Sequence, residues 1–141
     1  MNLDMVGPGI VLSLGCIGSA LGCGIAGMAS HGAMTRVEEG HGKFITLSAV
    51  SSTQAILGLV LMVLMRNAIL AGTLDAMSGI GLGFFVGMAL MISAIIQGKC
   101  AATAIQATAK QPSIFGSAFM AIGIIESFAL FVFVFSLLLL S

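Results

Sequence analysis

Four long apolar stretches, separated by short segments that hold most of the charged residues, define the pattern of this chain. Residues 5–35, 44–65 and 76–98 contain no Asp, Glu, Lys or Arg, and residues 111–141 contain only Glu126. Each stretch exceeds the roughly 18 apolar residues that signal a transmembrane helix. Helices satisfy their own backbone hydrogen bonds in lipid, so the pattern favours helical spans. We predict four of them, near residues 6–29, 43–66, 77–100 and 115–140.

Composition places the chain among membrane proteins. Of its 141 residues, 59% are hydrophobic and 7% are charged, and the mean hydropathy is +1.20. These values are typical of an integral membrane protein and not of a soluble domain. The net charge is zero and no basic or acidic block is present, so the sequence gives no support for nucleic-acid binding or polybasic lipid anchoring. The predicted fold class is all-α and integral to the membrane.

The basic residues predict an orientation. The segment before the first apolar stretch contains Asp4 and no Lys or Arg, so we expect no cleavable signal peptide and a retained first helix. Two basic residues flank the first connection and two flank the third, whereas only Arg66 flanks the second. By the positive-inside rule, the first and third connections face the cytoplasm and both termini face the other side of the cell membrane.

An internal repeat relates the two halves of the chain. A shift of 72 residues superposes the helix pattern along the whole length and places Gln54 on Glu126. Each unit contains two helices, so the copies share one orientation, unlike the inverted repeats of many transporters. We predict two tandem duplicated helical hairpins, residues 1–72 with helices 1 and 2, and residues 73–141 with helices 3 and 4.

Glu126 is the first candidate functional residue. A carboxylate at bilayer depth costs about 2.5–3.5 kcal/mol on insertion scales, and such residues mark ion or substrate pathways. Its counterpart in the first hairpin is the neutral amide of Gln54, so the duplicated unit has one titratable site instead of two. We therefore predict that the second hairpin carries the ion-binding carboxylate.

Glycine is concentrated in the first and third predicted helices. Small residues at four-residue spacing let transmembrane helices approach closely. We therefore expect helices 1 and 3 to pack tightly, with helices 2 and 4 as an outer layer against lipid. The residues predicted to serve this packing are Gly15, Gly18, Gly22, Gly79, Gly83 and Gly87.

The combination of motifs resembles a known family. The glycine-rich duplicated hairpin, the stretch SSTQ at 51–54, the stretch IIQGKCAATAIQATAKQP at 95–112, and Glu126 together resemble the rotor-ring proteolipids of V-type and A/V-type ATPases. These are c-type subunits, called subunit K in bacteria. The resemblance covers essentially the whole chain.

The resemblance implies a set of ion ligands. In sodium-transporting members, a glutamate, a glutamine, a Thr-Gln pair and a backbone carbonyl hold the ion. The matching positions are Glu126, Gln97, Thr53, Gln54 and the carbonyl of Val50. Hard cations favour such oxygen ligands, and one carboxylate neutralises one monovalent ion. A tyrosine that contacts the carboxylate in one member is replaced here by Leu57.

The resemblance also implies a function and partners. It describes a subunit of the membrane sector that carries sodium or protons as a ring of identical subunits turns against a stator. The implied partners are those identical subunits, a stator membrane subunit with an arginine, central-stalk subunits on the cytoplasmic side, and lipid. No catalytic residue and no cofactor are expected, because ATP chemistry would lie on other subunits and the chain has no phosphate-binding loop.

Other interpretations remain open from the residues alone. Thr53 can bond back to a helical carbonyl, and Gln54 and Gln97 can be hydrogen-bonded contacts between helices. A small four-helix exporter of drugs or cations also depends on an intramembrane glutamate, although such carriers use Trp and Tyr, which this chain lacks. A structural assembly protein could use Glu126 as a pairing group.

Overall fold

Four helical stretches cross the structure, a computed structural model that describes residues 3–140. All four are long and apolar enough to span a membrane, so the predicted all-helical class with four spans is confirmed. The second span is interrupted by a 3₁₀ turn. In chain order, the elements are α1 (Val6–Met34), α2 (His41–Ala49), a 3₁₀ turn (Val50–Ser52), α3 (Thr53–Leu70), α4 (Ala76–Lys110), a 3₁₀ turn (Pro112–Ile114) and α5 (Phe115–Leu138).

Helix α4 is longer than predicted. It continues past residue 100 to Lys110, because the segment 101–110 is rich in alanine and contains no glycine or proline. Pro112 follows, and Gln111 before it leaves the helical region, with φ −138° and ψ 87°. At 1.5 Å per residue the helix is about 52 Å long, well beyond the roughly 30 Å of a hydrocarbon core. The third connection predicted at 101–114 is therefore mostly helix.

Helices α1 and α4 approach each other so closely that side chains are excluded at several points. A Cβ on Gly7 would collide with the backbone of Gly79, and a Cβ on Gly83 would collide with Gly7. Farther along, a Cβ on Gly18 would lie 2.8 Å from the carbonyl oxygen of Met91, and Gly98 packs against the backbone of Gly22. Backbone-to-backbone packing of this kind is how small residues join membrane helices.

The remaining glycines predicted for packing have different neighbours. A Cβ on Gly87 would lie 2.8 Å from Cδ1 of Leu14 in α1. Gly15 faces the second span instead of α4, with Gln54 as its neighbour.

The polar site residues lie between two apolar clusters. One cluster consists of Ala26, Ala33, Phe44, Leu47, Ala101, Ala104, Ile105 and Ile122. The other consists of Val11, Leu61, Met65, Val86, Leu90 and Ala129. Gln54, Gln97 and Glu126 fall between these clusters on the second span, α4 and α5, respectively. The fold thus holds a thin polar layer at mid-height, closed above and below by hydrocarbon side chains.

Helix α5 exposes most of its apolar surface. Its buried residues are Ile122, Ala129 and Ser136, whereas Phe128, Phe131 and Phe135 are exposed. An apolar face of this extent is covered by lipid or by another protein in any stable state.

Candidate functional site

Three hydrogen-bond donors converge on one oxygen of Glu126, at the middle of α5. The amide nitrogen of Gln97 donates to Oε2 at 2.7 Å, the hydroxyl of Thr53 at 2.8 Å and the amide nitrogen of Gln54 at 3.3 Å. Thr53 and Gln54 lie on the second span and Gln97 lies on α4, so the carboxylate on α5 contacts two other spans. Within residues 3–140, no donor reaches the second oxygen, Oε1.

Gln54 and Gln97 hold each other in place. The side-chain nitrogen of Gln54 donates to Oε1 of Gln97 at 2.9 Å. Gln54 is fully buried and Gln97 is 1% exposed, so neither amide can exchange its partner for water. A buried polar group that lost its partner would cost about 1–3 kcal/mol, and this cost keeps the two amides paired with each other.

Thr53 lies at the start of α3, directly after the break in the second span. Its hydroxyl oxygen is 3.2 Å from the carbonyl oxygen of Val50 and 3.2 Å from Oε1 of Gln54, both longer than its 2.8 Å contact with Glu126. The predicted ligands on this span are therefore gathered within one turn. The structure brings all five predicted ligand positions, Val50, Thr53, Gln54, Gln97 and Glu126, to one place.

The 3₁₀ turn of the second span lies beside the site. Helix α2 ends at Ala49 and α3 begins at Thr53, and the backbone stays in the right-handed helical region at Val50 and Ser52. Such a turn changes the hydrogen-bond pattern from that of an α-helix and leaves some backbone groups without their usual partners. The carbonyl of Val50 lies in this turn, where it accepts from the hydroxyl of Thr53 at 3.2 Å.

A cavity of about 190 Å³ adjoins the carboxylate. It is lined by Val50, Thr53, Gln97, Phe119, Ile122, Gly123 and Glu126. A water molecule occupies about 30 Å³ in the liquid, so the cavity has room for a small ion with part of its hydration shell. It lies among the second span, α4 and α5, next to the hydrogen-bonded group, and the surface exposed to it is apolar.

The types of side chain at the site indicate which ions it can bind. Among residues 3–140, no group of three or more His, Cys, Asp or Glu side chains could hold a metal ion. The site instead offers one carboxylate, two amides, a hydroxyl and a backbone carbonyl, which are hard oxygen ligands. This chemistry suits a proton or a hard monovalent cation better than a transition metal.

The sequence profile of the family described as the C subunit of ATP synthase matches the chain twice, at residues 6–65 and 80–139. The chain belongs to this ATP synthase family. The family resemblance predicted from the sequence is thereby confirmed, and so are the two tandem hairpin units. The first matched unit contains Gln54 and the second contains Glu126.

Two relatives extend the comparison. The A-type ATP synthase subunit K of Methanocaldococcus jannaschii is 38% identical over 115 residues, which cover 80% of this chain and 52% of the relative. The chain thus spans about half the length of that protein. The V-type sodium ATPase subunit K of Enterococcus hirae is 29% identical over 125 residues, which cover 87% of this chain and 80% of the relative.

Sequence reasoning missed some features of the site. It predicted an unbroken second helix, whereas the structure has a 3₁₀ turn directly before Thr53. Three consecutive hydroxyl residues, Ser51 to Thr53, carried the signal, because such side chains compete for backbone hydrogen bonds. The cavity wall on α5 is formed by Phe119, Ile122 and Gly123. It could not be predicted, because nothing distinguishes these residues within a long apolar stretch.

Proposed function

We propose that this chain is the ion-carrying subunit of a rotor ring in the membrane sector of a rotary ATPase or ATP synthase. Glu126 carries one sodium ion or one proton, and ATP chemistry belongs to other subunits. The observation that carries the proposal is the convergence of three uncharged donors on Oε2 of a carboxylate at mid-span.

The charge of Glu126 gives the physical reason for an ion. All its hydrogen-bond partners among the described residues are uncharged. A carboxylate without a cation is costly in a membrane, and a bound proton or monovalent cation makes the site neutral. A neutral site can face lipid as the ring rotates. The cost of exposing an unpaired carboxylate to lipid opposes the same movement.

Sodium is the favoured ion. A hard cation in the cavity would take oxygen from Glu126, Thr53 and the carbonyl of Val50, and the amides of Gln54 and Gln97 would turn to present their oxygens. Five oxygen-bearing groups in one place exceed what a single proton needs. The similarity to a relative named as a sodium ATPase subunit points in the same direction.

The partners follow from the same proposal. Identical subunits form the ring, and the exposed phenylalanines of α5 meet lipid and neighbouring surfaces. A stator membrane subunit supplies an arginine that displaces the ion from Glu126. The connection between α1 and α2 contacts the central stalk in the cytoplasm, and both termini lie on the opposite side of the membrane.

Transport by the assembled complex tests the proposal. Ion uptake is measured in vesicles that contain the complex with the wild-type chain, with Glu126→Gln or with Asp75→Asn, which changes an exposed carboxylate in the connection between α3 and α4. Native mass measurement reports whether each ring forms. We expect Glu126→Gln to form rings without ion transport and Asp75→Asn to form rings that transport. Transport by Glu126→Gln rings, or isolation of the wild-type chain only as a monomer or dimer, would refute the proposal.

A further inference from the structure

The residue that directly precedes α3 does not cap this helix. The first backbone amides of a helix have no carbonyl partner within the helix, and a hydroxyl at the N-cap position often accepts from one of them. The N-cap residue of α3 is Ser52, and it makes no capping hydrogen bond. Its hydroxyl instead donates to the carbonyl oxygen of Ala49 at 2.7 Å. An amide in the first turn of α3 that the preceding 3₁₀ turn does not satisfy therefore needs an acceptor from elsewhere.

Helix α1 supplies that acceptor. The backbone amide of Ala55, the third residue of α3, donates to Oγ of Ser19 at 2.9 Å. Ser19 is 6% exposed, so this bond is shielded from solvent. The third helical position is one that an N-cap hydroxyl serves in an ordinary helix. Ser19 thus caps α3 from a different helix.

Two glycines make this approach possible. Gly15 and Gly22 lie four residues before and three residues after Ser19, on the same face of α1. A Cβ on Gly15 would lie 2.9 Å from the carbonyl oxygen of Gln54, and a Cβ on Gly22 would lie 2.8 Å from Cβ of Ser51. Because these positions carry no side chains, α1 packs directly against the 3₁₀ turn and the start of α3. The hydroxyl of Ser19 can therefore reach the backbone amide of Ala55.

We propose that Ser19 is a positioning residue for the ion site: its interhelical cap holds the start of α3, and so fixes Thr53 and Gln54 against Glu126. Ala55 directly follows the two ligand residues in the first turn of α3, so a rotation or shift of this turn moves both side chains. Contacts of 2.8 Å from Thr53 and 3.3 Å from Gln54 to Oε2 leave little tolerance for such movement. This inference rests on the proposed function, because it assigns Ser19 a role in ion binding.

Three variants of the assembled ring test this role. Ser19→Ala removes the acceptor, and Ser19→Thr restores a hydroxyl. Ser30→Ala is the matched control, because Ser30 is also a buried serine of α1 that bonds to the second span, through the carbonyl oxygen of Phe44 at 2.9 Å. The first readout is carbodiimide labelling of Glu126, expressed as the sodium concentration that halves the rate, or as the pH that halves it if sodium has no effect.

We expect Ser19→Ala to raise the half-protecting sodium concentration about fivefold, the factor that corresponds to the typical loss of a capping hydroxyl. If protons are the ligand, the half-labelling pH shifts by at least 0.3, roughly a twofold change in affinity. Ser19→Thr returns the value toward wild type, and Ser30→Ala stays within twofold of wild type. A change below twofold in Ser19→Ala, or an equal change in Ser30→Ala, overturns the proposal.

A second readout does not depend on the ion. Hydrogen exchange of the backbone amides in residues 53–57 reports whether the first turn of α3 is capped. We expect faster exchange there in Ser19→Ala and not in Ser30→Ala, and unchanged exchange overturns the capping role. Wild-type labelling that ignores both sodium and pH would instead contradict the proposed function, so the two failures are distinguishable.

Discussion

Gln97 donates to Oε2 of Glu126 at 2.7 Å while its own Oε1 accepts from Gln54 at 2.9 Å. One amide on α4 therefore joins the carboxylate of α5 to the amide of the second span. Hydrogen bonds in such a chain polarise one another, and both Gln54 and Gln97 are buried. The conformation of the carboxylate is consequently set by residues on three spans.

Removal of Gln97 should weaken ion binding more than removal of Gln54. Gln97→Leu eliminates the 2.7 Å bond to the carboxylate, whereas Gln54→Leu eliminates a longer bond of 3.3 Å. Hydrogen bonds to charged groups contribute about 1.5–3 kcal/mol, so we expect Gln97→Leu to raise the ion concentration for half-maximal transport at least tenfold. Transport assays over an ion titration measure this, and an equal or larger effect of Gln54→Leu would contradict the arrangement.

The hydroxyl of Thr53, and not its methyl group, should support the site. Thr53→Ser keeps the donor that lies 2.8 Å from Glu126, and Thr53→Val keeps the shape but removes the donor. We expect roughly tenfold weaker ion binding in Thr53→Val and near-normal binding in Thr53→Ser, because the lost bond is made to a carboxylate. The same ion titration compares them. Comparable losses in both variants would assign Thr53 a packing role instead.

Gly83 and Gly81, both on α4, allow a matched comparison of two alanine substitutions. A Cβ on Gly83 would collide with the backbone of Gly7, whereas nothing lies within 4 Å of a Cβ on Gly81. Overpacking of a filled contact costs about 1–3 kcal/mol, so Gly83→Ala should lower the thermal midpoint of the assembled ring. Gly81→Ala should leave it near the wild-type value. Thermal denaturation followed by the loss of native oligomer provides the comparison, and equal midpoints would disprove the close contact.

Asp75 should make the start of α4 sensitive to acid. Its Oδ1 accepts from the backbone amides of Met77 and Ser78 at 3.0 Å each. Hydrogen bonds from the hydroxyl and backbone of Ser78, and from the backbone of Met77, lower the pKa of this exposed carboxyl. Because the folded pKa is lowered, the stabilisation is complete above the unfolded value of about 3.9 and is lost as the pH falls through the folded pKa.

The test of that cap is a comparison of pH profiles. Asn is also a good N-cap residue but has no titratable proton, so Asp75→Asn should show a flatter loss of thermal midpoint between about pH 4 and pH 2. The wild-type chain should lose more over the same range. Parallel profiles would mean that the carboxylate of Asp75 contributes nothing to stability through its charge.

Much of the fold follows from the sequence because the membrane imposes simple rules. Four charge-free stretches of sufficient length predict four helices, and Glu126 stands out in the last one because every neighbour is uncharged. The ends of the helices were less predictable. In the sequence, Lys99 and Lys110 indicate a connection between two spans, yet both lie in α4. The reason is that an alanine-rich sequence continues a helix outside lipid as well as inside it.

The candidate site could be predicted only in part. The positions of Gln54 and Glu126 in the repeat, together with the family resemblance, predicted the set of ligand residues. The turn at Val50–Ser52 and the cap from Ser19 depend on contacts between helices, which no periodicity in one helix reveals. The boundary predicted between residues 72 and 73 falls in the connection between α3 and α4 and stays a prediction.

The rate at which a carbodiimide modifies Glu126, measured across pH with and without sodium, tests the central claim most directly. The reagent attacks the protonated carboxyl, and Glu126→Gln rings provide the blank. The account predicts sodium protection that strengthens as the pH rises, because sodium and protons compete for the carboxylate that Thr53, Gln54 and Gln97 surround. Labelling of Glu126 that is indifferent to both sodium and pH would contradict it.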